Sequence, residues 1–322
     1  LTKVPTKVLV TGSKGFIGSH LVNFLKSEGY WVRGVDIKKH SYLETREDQF
    51  FQGDLRDQGI AYLVMRDIDL VFHLAAEMGG IGFITRVKAN VMRDSTLINI
   101  NILEACRKRG TKRLFYSSSA CVYPENLQLY SEVEPLKESD AIPACPDTAY
   151  GWEKLYAEQM LKAYREDYGL DIRIARFHNI YGSHCTYRGG REKAPAALCR
   201  KVALAHNLGE IEVWGDGRQS RSFLYITDAL DAIYRLMLSN YTEPLNIGSD
   251  ELITINQLAD FIIEASGKEI GKRYNVKAPQ GVRGRNACLD LIKKTLGWKP
   301  KVSYKTGLTK TYNWVLEQVN RQ

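Results

Sequence analysis

The chain has 322 residues, 44% hydrophobic and 25% charged, which is enough for a sizeable core and excludes a disordered or fibrous chain. Its net charge of +8 favours anionic partners, yet no Lys/Arg run with interleaved aromatics marks a nucleic-acid surface, and no apolar stretch is long enough to span a bilayer. The six cysteines are scattered, with neither a C-x-x-C pair nor metal-ligand spacing, so the expectation is a reduced, cytoplasmic protein without a metal.

In chain order, Lys7 to Thr11 (KVLVT) reads as a buried strand, and a helical pattern runs from Ser19 to Glu28. Trp31 to Asp36 is a second strand, Gln52 to Leu55 a short third, and Leu70 to Ala76 a stronger fourth. Ile98 to Lys108 is helical, Arg113 to Ser118 a strand, Thr148 to Tyr168 a long helix, and Asp171 to Phe177 a strand. Beyond about Tyr181 the regularity breaks. Gly-rich charged loops occur at Gly189–Lys193 and Trp214–Gly217, with short strands at Ser222–Ile226 and Pro244–Ile247. Helices are expected at Ile255–Ala265 and Val302–Val319.

Strands alternating with helices predict an α/β protein: a Rossmann-type doubly wound parallel sheet with a second, smaller mixed α/β substrate lobe. The dinucleotide domain is expected over residues 1–180, rejoined by about 222–245. Residues 181–322 are expected to be mainly the substrate lobe.

Gly12, Gly15 and Gly18 form G-x-x-G-x-x-G between the first strand and the first helix. Such a loop turns tightly, lets backbone approach a pyrophosphate, and presents a helix N-terminus to it. Phe16 and Ile17 lie within the loop. Asp36 ends the second strand, where a carboxylate can accept the ribose hydroxyls and would repel a 2′-phosphate, favouring NAD over NADP. Lys38 and Lys39 blur that preference. Asp54 and Leu55 are candidates for adenine contact.

Tyr150 and Lys154 stand four apart on a predicted helix and share a face. An ammonium beside a phenol favours the phenolate, which makes a usable base. Ser119, just past a predicted strand, could bond the same hydroxyl. His178 reads as a satisfied structural histidine and Trp214 as plain packing.

The loop T-G-S-K-G-F-I-G, with H-L-A-A (His73–Ala76), S-S-S-A-C-V-Y-P (Ser117–Pro124) and Y-G-W-E-K, resembles the extended short-chain dehydrogenases. Those motifs leave epimerases, dehydratases and decarboxylases open. Ala120 and Cys121 stand where dehydratases of this type have an acidic pair. Met78–Phe83, Arg176–Gly182, Gly189–Ala197 and Gly281–Asn286 are similar to the GDP-mannose 3,5-epimerases. That resemblance implies an NAD-dependent isomerase turning GDP-D-mannose into GDP-L-galactose, with some GDP-L-gulose, through a transient 4-keto sugar. It implies Cys121 and Lys193 as the acid/base pair on the sugar ring, with Ser119, Tyr150 and Lys154 serving the oxidation. It also implies substrate contacts at Gly79, Ala120, Asn179, Glu192 and Ala194, and further ones at Lys201, Gln219, Ser220, Arg221 and Arg285. Arg221 and Arg285 suit a pyrophosphate. A homodimer packed through helices, including the Tyr150 helix, is the implied assembly. The alternatives are a 4-epimerase of the same family and a non-catalytic NAD(H)-binding regulator.

Overall fold

Val8, Leu9 and Val10 are wholly buried, and a strand buried on both faces requires helices on each side. The computed structural model describes residues 5–321; Leu1 to Val4, with which the expected first domain begins, lie outside the described residues. It opens with β1 (Lys7–Thr11), α1 (Phe16–Ser27), β2 (Trp31–Asp36), β3 (Gln49–Gln52), α2 (Gln58–Val64) and β4 (Leu70–His73). There follow α3 (Ile81–Ile84), α4 (Lys88–Arg109), β5 (Arg113–Ser119), α5 (Ala149–Tyr168), β6 (Ile172–Phe177) and β7 (Ile180–Tyr181). The rest comprises α6 (Ala194–Leu204), β8 (Glu210–Trp214), β9 (Ser220–Ser222), β10 (Leu224–Tyr225), α7 (Ile226–Leu238) and β11 (Leu245–Ile247), then β12 (Leu252–Thr254), α8 (Ile255–Ser266), β13 (Gly271–Asn275), β14 (Gly284–Arg285), α9 (Asp290–Leu296) and α10 (Tyr304–Asn320).

Seven strands form one sheet in the order β11-β6-β5-β4-β1-β2-β3, every neighbouring pair parallel. The chain runs outward from β1 to β3 and then crosses to β4 on the other side. The ends of β1 and β4, where Thr11 pairs with His73, therefore flank the topological switch point. Ligands of such sheets bind outside the strand ends at that crevice.

Alternate residues of β1 serve opposite faces. Val8 and Val10 pack with Leu21, Val22 and Leu25 of α1 and with α7, while Leu9 packs with Ile102 and Leu103 of α4 and Leu161 of α5. The α6, α8 and α10 helices share the first of these clusters, so the core of the C-terminal half runs unbroken into one face of the sheet. Of the expected strands, the third lies at Gln49–Gln52, three residues earlier than its pattern suggested. The stretch expected as one strand over 222–226 belongs to two small sheets, because β9 pairs β12 and β14 whereas β10 pairs β7.

Candidate active site

At the switch point the chain turns on Gly12, whose N–H donates to the Val35 carbonyl at 2.9 Å. Gly18 is the glycine this turn cannot replace: a Cβ there would stand 2.0 Å from the Gly12 carbonyl oxygen. The helix α1 can therefore begin against the end of β1 and present its free N–H groups to the crevice. Asp36 is nearly buried at the end of β2, its two oxygens accepting the amides of Lys14 (2.9 Å) and Lys38 (2.8 Å). Gly12, Gly15, Phe16, Ile17, Gly18, Asp36, Asp54, Leu55, Tyr150 and Lys154 all line one cavity of about 340 Å³. Asp54 stands in its wall, with its carboxylate engaged by Arg56. A glycine turn, a helix N-terminus and a carboxylate at the second strand's end fit a dinucleotide.

A second cavity, of about 490 Å³, adjoins the first. Gly79, Ser119, Tyr150 and Lys193 are among the residues that line both, and so stand at the junction. The second wall also holds Ala120, Cys121, Asn179, Glu192, Ala194, Lys201, Gln219, Arg221 and Arg285. Ser220 does not line it; its hydroxyl is turned to the Ser131 carbonyl. Several lining residues escaped the sequence reading. Asp147 precedes Thr148, which caps α5. Arg200 lies on α6 and is paired with Glu192 at 3.3 Å. Trp214, expected from the sequence as plain packing, instead stands in the cavity wall, with Nε1 donating to Glu212 at 2.8 Å. The signal for Arg200 was the run A-P-A-A-L-C-R-K-V-A-L, a helix with proline in its first turn, which places Ala197, Arg200 and Lys201 on the side of Lys193.

Lys154 is buried, and its ammonium donates to the Tyr116 hydroxyl (3.1 Å) and the Ser117 carbonyl (3.0 Å). Its Nζ lies 5.7 Å from the centre of the Tyr150 ring. Burial raises the Tyr150 phenol, assisted by Cys121 and Glu153, while a hydrogen bond with Ser119 works the other way. Burial also lowers Lys154, against Glu153, Glu158 and Cys121.

Cys121 sits in a short turn following β5. Its amide donates to the Ser119 hydroxyl at 3.1 Å, and Arg285 Nη1 stands 3.1 Å from its sulfur. Arg285 is further held by Gln128 at 2.5 Å and lies 3.7 Å from Asp147. The guanidinium expected at a pyrophosphate is thus directed at the thiol. Among the described residues Arg221 bonds only backbone carbonyls, Ser220 at 2.7 Å and Val282 at 2.6 Å included. Burial, with Arg285 beside it, pulls Arg221 down to about 9. A buried guanidinium, Arg285, and a half-buried one, Arg221, in the wall of one cavity form a natural seat for an anion.

Lys193 is the N-cap residue of α6. Burial lowers its ammonium, with Cys121 and Cys185 opposing, and the positive end of the helix favours the neutral amine further. His178 is fully buried, donates its Nε2–H to Asn246 Oδ1 (3.0 Å), lines neither cavity, and is pushed down to about 3.

Residues 8–248 match the model of the NAD dependent epimerase/dehydratase family. The chain is 46% identical to GDP-mannose 3,5-epimerase 1 of Oryza sativa subsp. indica, over 98% of this chain and 83% of that protein. It is 45% identical to GDP-mannose 3,5-epimerase of Arabidopsis thaliana, over 98% and 84%. The solved structure of UDP-glucose 4-epimerase with UDP-glucose, from Thermotoga maritima, superposes with a TM-score of 0.89 at 27% identity, covering 98% of this chain and all of that one.

Proposed function

The chain belongs to the NAD dependent epimerase/dehydratase family, and we propose that within it this protein inverts carbons 3 and 5 of GDP-D-mannose, giving GDP-L-galactose with some GDP-L-gulose. The observation that carries this reading is a thiol and an amine, Cys121 and Lys193, in the wall of a cavity that Tyr150 shares with the dinucleotide crevice. A simple 4-epimerisation uses the tyrosine and has no work for that pair.

NAD bound there would supply a hydride acceptor for carbon 4 and the donor for its return, so no external oxidant would be consumed. Gly12, Gly15, Gly18 and Asp36 would hold it. Tyr150 takes the proton of the 4-hydroxyl, with Ser119 holding the phenol and Lys154 supplying positive charge nearby. The resulting 4-keto group acidifies the hydrogens on carbons 3 and 5. At each carbon one of Cys121 and Lys193 removes a proton and the other delivers one to the opposite face, so the ring is inverted with no net gain or loss of protons. The guanidinium of Arg285 meets the charge that forms on the sulfur. Arg221, which among the described residues bonds backbone carbonyls and no carboxylate, is the better seat for the pyrophosphate. Tyr150 finally returns its proton to the 4-oxygen.

Cys121→Ala and Lys193→Ala are each expected to lose a factor of about 10²–10⁴ in epimerisation while still binding NAD. Full activity in either variant would remove the basis of the proposal. We also propose a homodimer through α4 and α5. Met92 and Leu97 on the first, and Trp152 and Tyr156 on the second, are large apolar side chains left exposed, and Trp152 and Tyr156 point away from the Tyr150–Lys154 face of their helix.

A further inference from the structure

Beneath Lys154 lies a buried polar chain that the steps above do not use. The Thr11 hydroxyl accepts the amides of Leu74 and Ala75, each at 3.1 Å, and so directs its own proton to His73 Nδ1 at 2.8 Å. With Nδ1 accepting, His73 carries its proton on Nε2 and donates to Asn99 Oδ1 at 2.9 Å. Asn99 Nδ2 then donates to Glu153 Oε1 at 2.8 Å and, less closely, to the Tyr116 hydroxyl at 3.4 Å. That same hydroxyl receives Lys154. The donors from Thr11 through His73 and Asn99 thus lead to Glu153.

Glu153 and Lys154 are each 1% exposed. Consecutive residues of a helix point in different directions, so the two are linked through Asn99 and Tyr116 rather than by contact. A buried ammonium requires a counter-charge. Glu158 is committed elsewhere, gripped by Arg176 at 3.0 and 2.7 Å and by Ser118 at 2.5 Å. Among the described residues Glu153 has no such cation of its own, and its Oε2 has no hydrogen-bond partner.

We propose that Glu153 is a positioning residue, the buried counter-charge that keeps Lys154 an ammonium beside Tyr150 during turnover. The inference rests on the epimerase reading for its assay. The groups facing this pair are Tyr116 and Ser117 from β5, His73 from β4, Asn99 from α4, Cys121 from the turn following β5, and Tyr150 and Glu158–Arg176 from α5 and β6. Burial holds His73 neutral and keeps Tyr116 protonated, and Arg176 offsets Glu158. Burial raises the Glu153 carboxyl, and Lys154 and the Asn99 amide oppose that by favouring its anion; glutamine at 153 removes that negative charge from the set. Lys154 then loses its proton at lower pH, and so does Tyr150, and both limbs of the pH–rate curve move down together.

The test compares kcat against pH, with GDP-mannose, for the NAD-loaded wild type, Glu153→Gln and Glu153→Asp, each checked for bound NAD and thermal unfolding. E153Q is expected to move the alkaline limb down by about one pH unit and to lose about tenfold in kcat above it. E153D keeps the charge and is expected to leave the limbs in place even where the rate falls. A uniform loss at every pH in E153Q, no loss at all, or a displaced limb in E153D would overturn the assignment. If E153Q does not fold, E153D decides alone: displaced limbs overturn it and unmoved limbs support it. A wild type inert toward GDP-mannose would instead overturn the GDP-mannose reading, and the same comparison would then be made with UDP-glucose.

Discussion

Among the cysteines, Cys121 alone has a guanidinium nitrogen within 3.1 Å of its sulfur. Burial pushes the thiols of Cys106 and Cys185 up to about 12, which makes them small apolar side chains in effect. The difference lies in Arg285, 164 residues further along the chain. The Tyr150–Lys154 spacing and the glycine turn are local and could be read directly from the residues. The contact of Arg285 with a thiol, and the isolation of Arg221 among carbonyls, are products of the tertiary fold and leave no mark in spacing. Histidines give a testable consequence at this scale. His73 and His178 are both held at about 3 instead of the ordinary 6.5. The unfolded chain takes up these two protons as pH falls through about 6.5, and the folded chain does not until about 3. Their contribution is therefore complete above about pH 6.5 and is lost as pH falls, at about 1.4 kcal/mol per pH unit for each histidine. Urea unfolding at pH 7.5 and pH 5 is expected to show this loss; equal midpoints would contradict it.

The helix α5 does most to assemble the site. Thr148 caps it by accepting the Gly151 amide at 3.2 Å, and Gly151 lies against the turn that carries Cys121. A Cβ at Gly151 would come within 2.1 Å of the Cys121 carbonyl and 2.9 Å of Pro146 Cβ. This close approach sets Cys121 and Tyr150 in one wall. Gly151→Ala is expected to cost about 1–3 kcal/mol of stability and to lower kcat by about a hundredfold through displacement of the two groups. A variant with wild-type melting and turnover would show that the approach does not matter. The periodicity of α5 was plain in the sequence, with apolar residues on one side and a capping threonine before it. Two other helices were legible yet missed. In α7, Ile226, Ala229, Leu230, Ile233, Leu236 and Met237 follow the helical period, and all are buried. In α6, the glycines just before it drew attention to a loop. The register of β3 was unreadable for a different reason: Q-F-F-Q has no alternation, and its residues are only half-buried at the sheet edge.

Across the whole molecule, the order of the sheet determines where chemistry can occur. The strands β1 and β4 diverge at Thr11 and His73, the dinucleotide cavity lies there, and the second cavity adjoins it under α6 and the loops preceding β9 and β14. Parallel alternation in the sequence was enough to anticipate this sheet. The small sheets were not, because strands of two or three residues such as β7, β10 and β14 carry no period of their own. Assembly belongs to the same scale. If α4 and α5 form the dimer face, Trp152→Glu with Tyr156→Glu should give a folded monomer in light scattering. An unchanged dimer would move the interface elsewhere, and a monomeric wild type would end that proposal. The double inversion itself is tested most directly by proton NMR of GDP-mannose incubated with the purified protein in deuterated water. Chemistry by Cys121 and Lys193 at two carbons demands L-galactosyl signals with deuterium at carbons 3 and 5; conversion without deuterium there, or an untouched substrate, would contradict it.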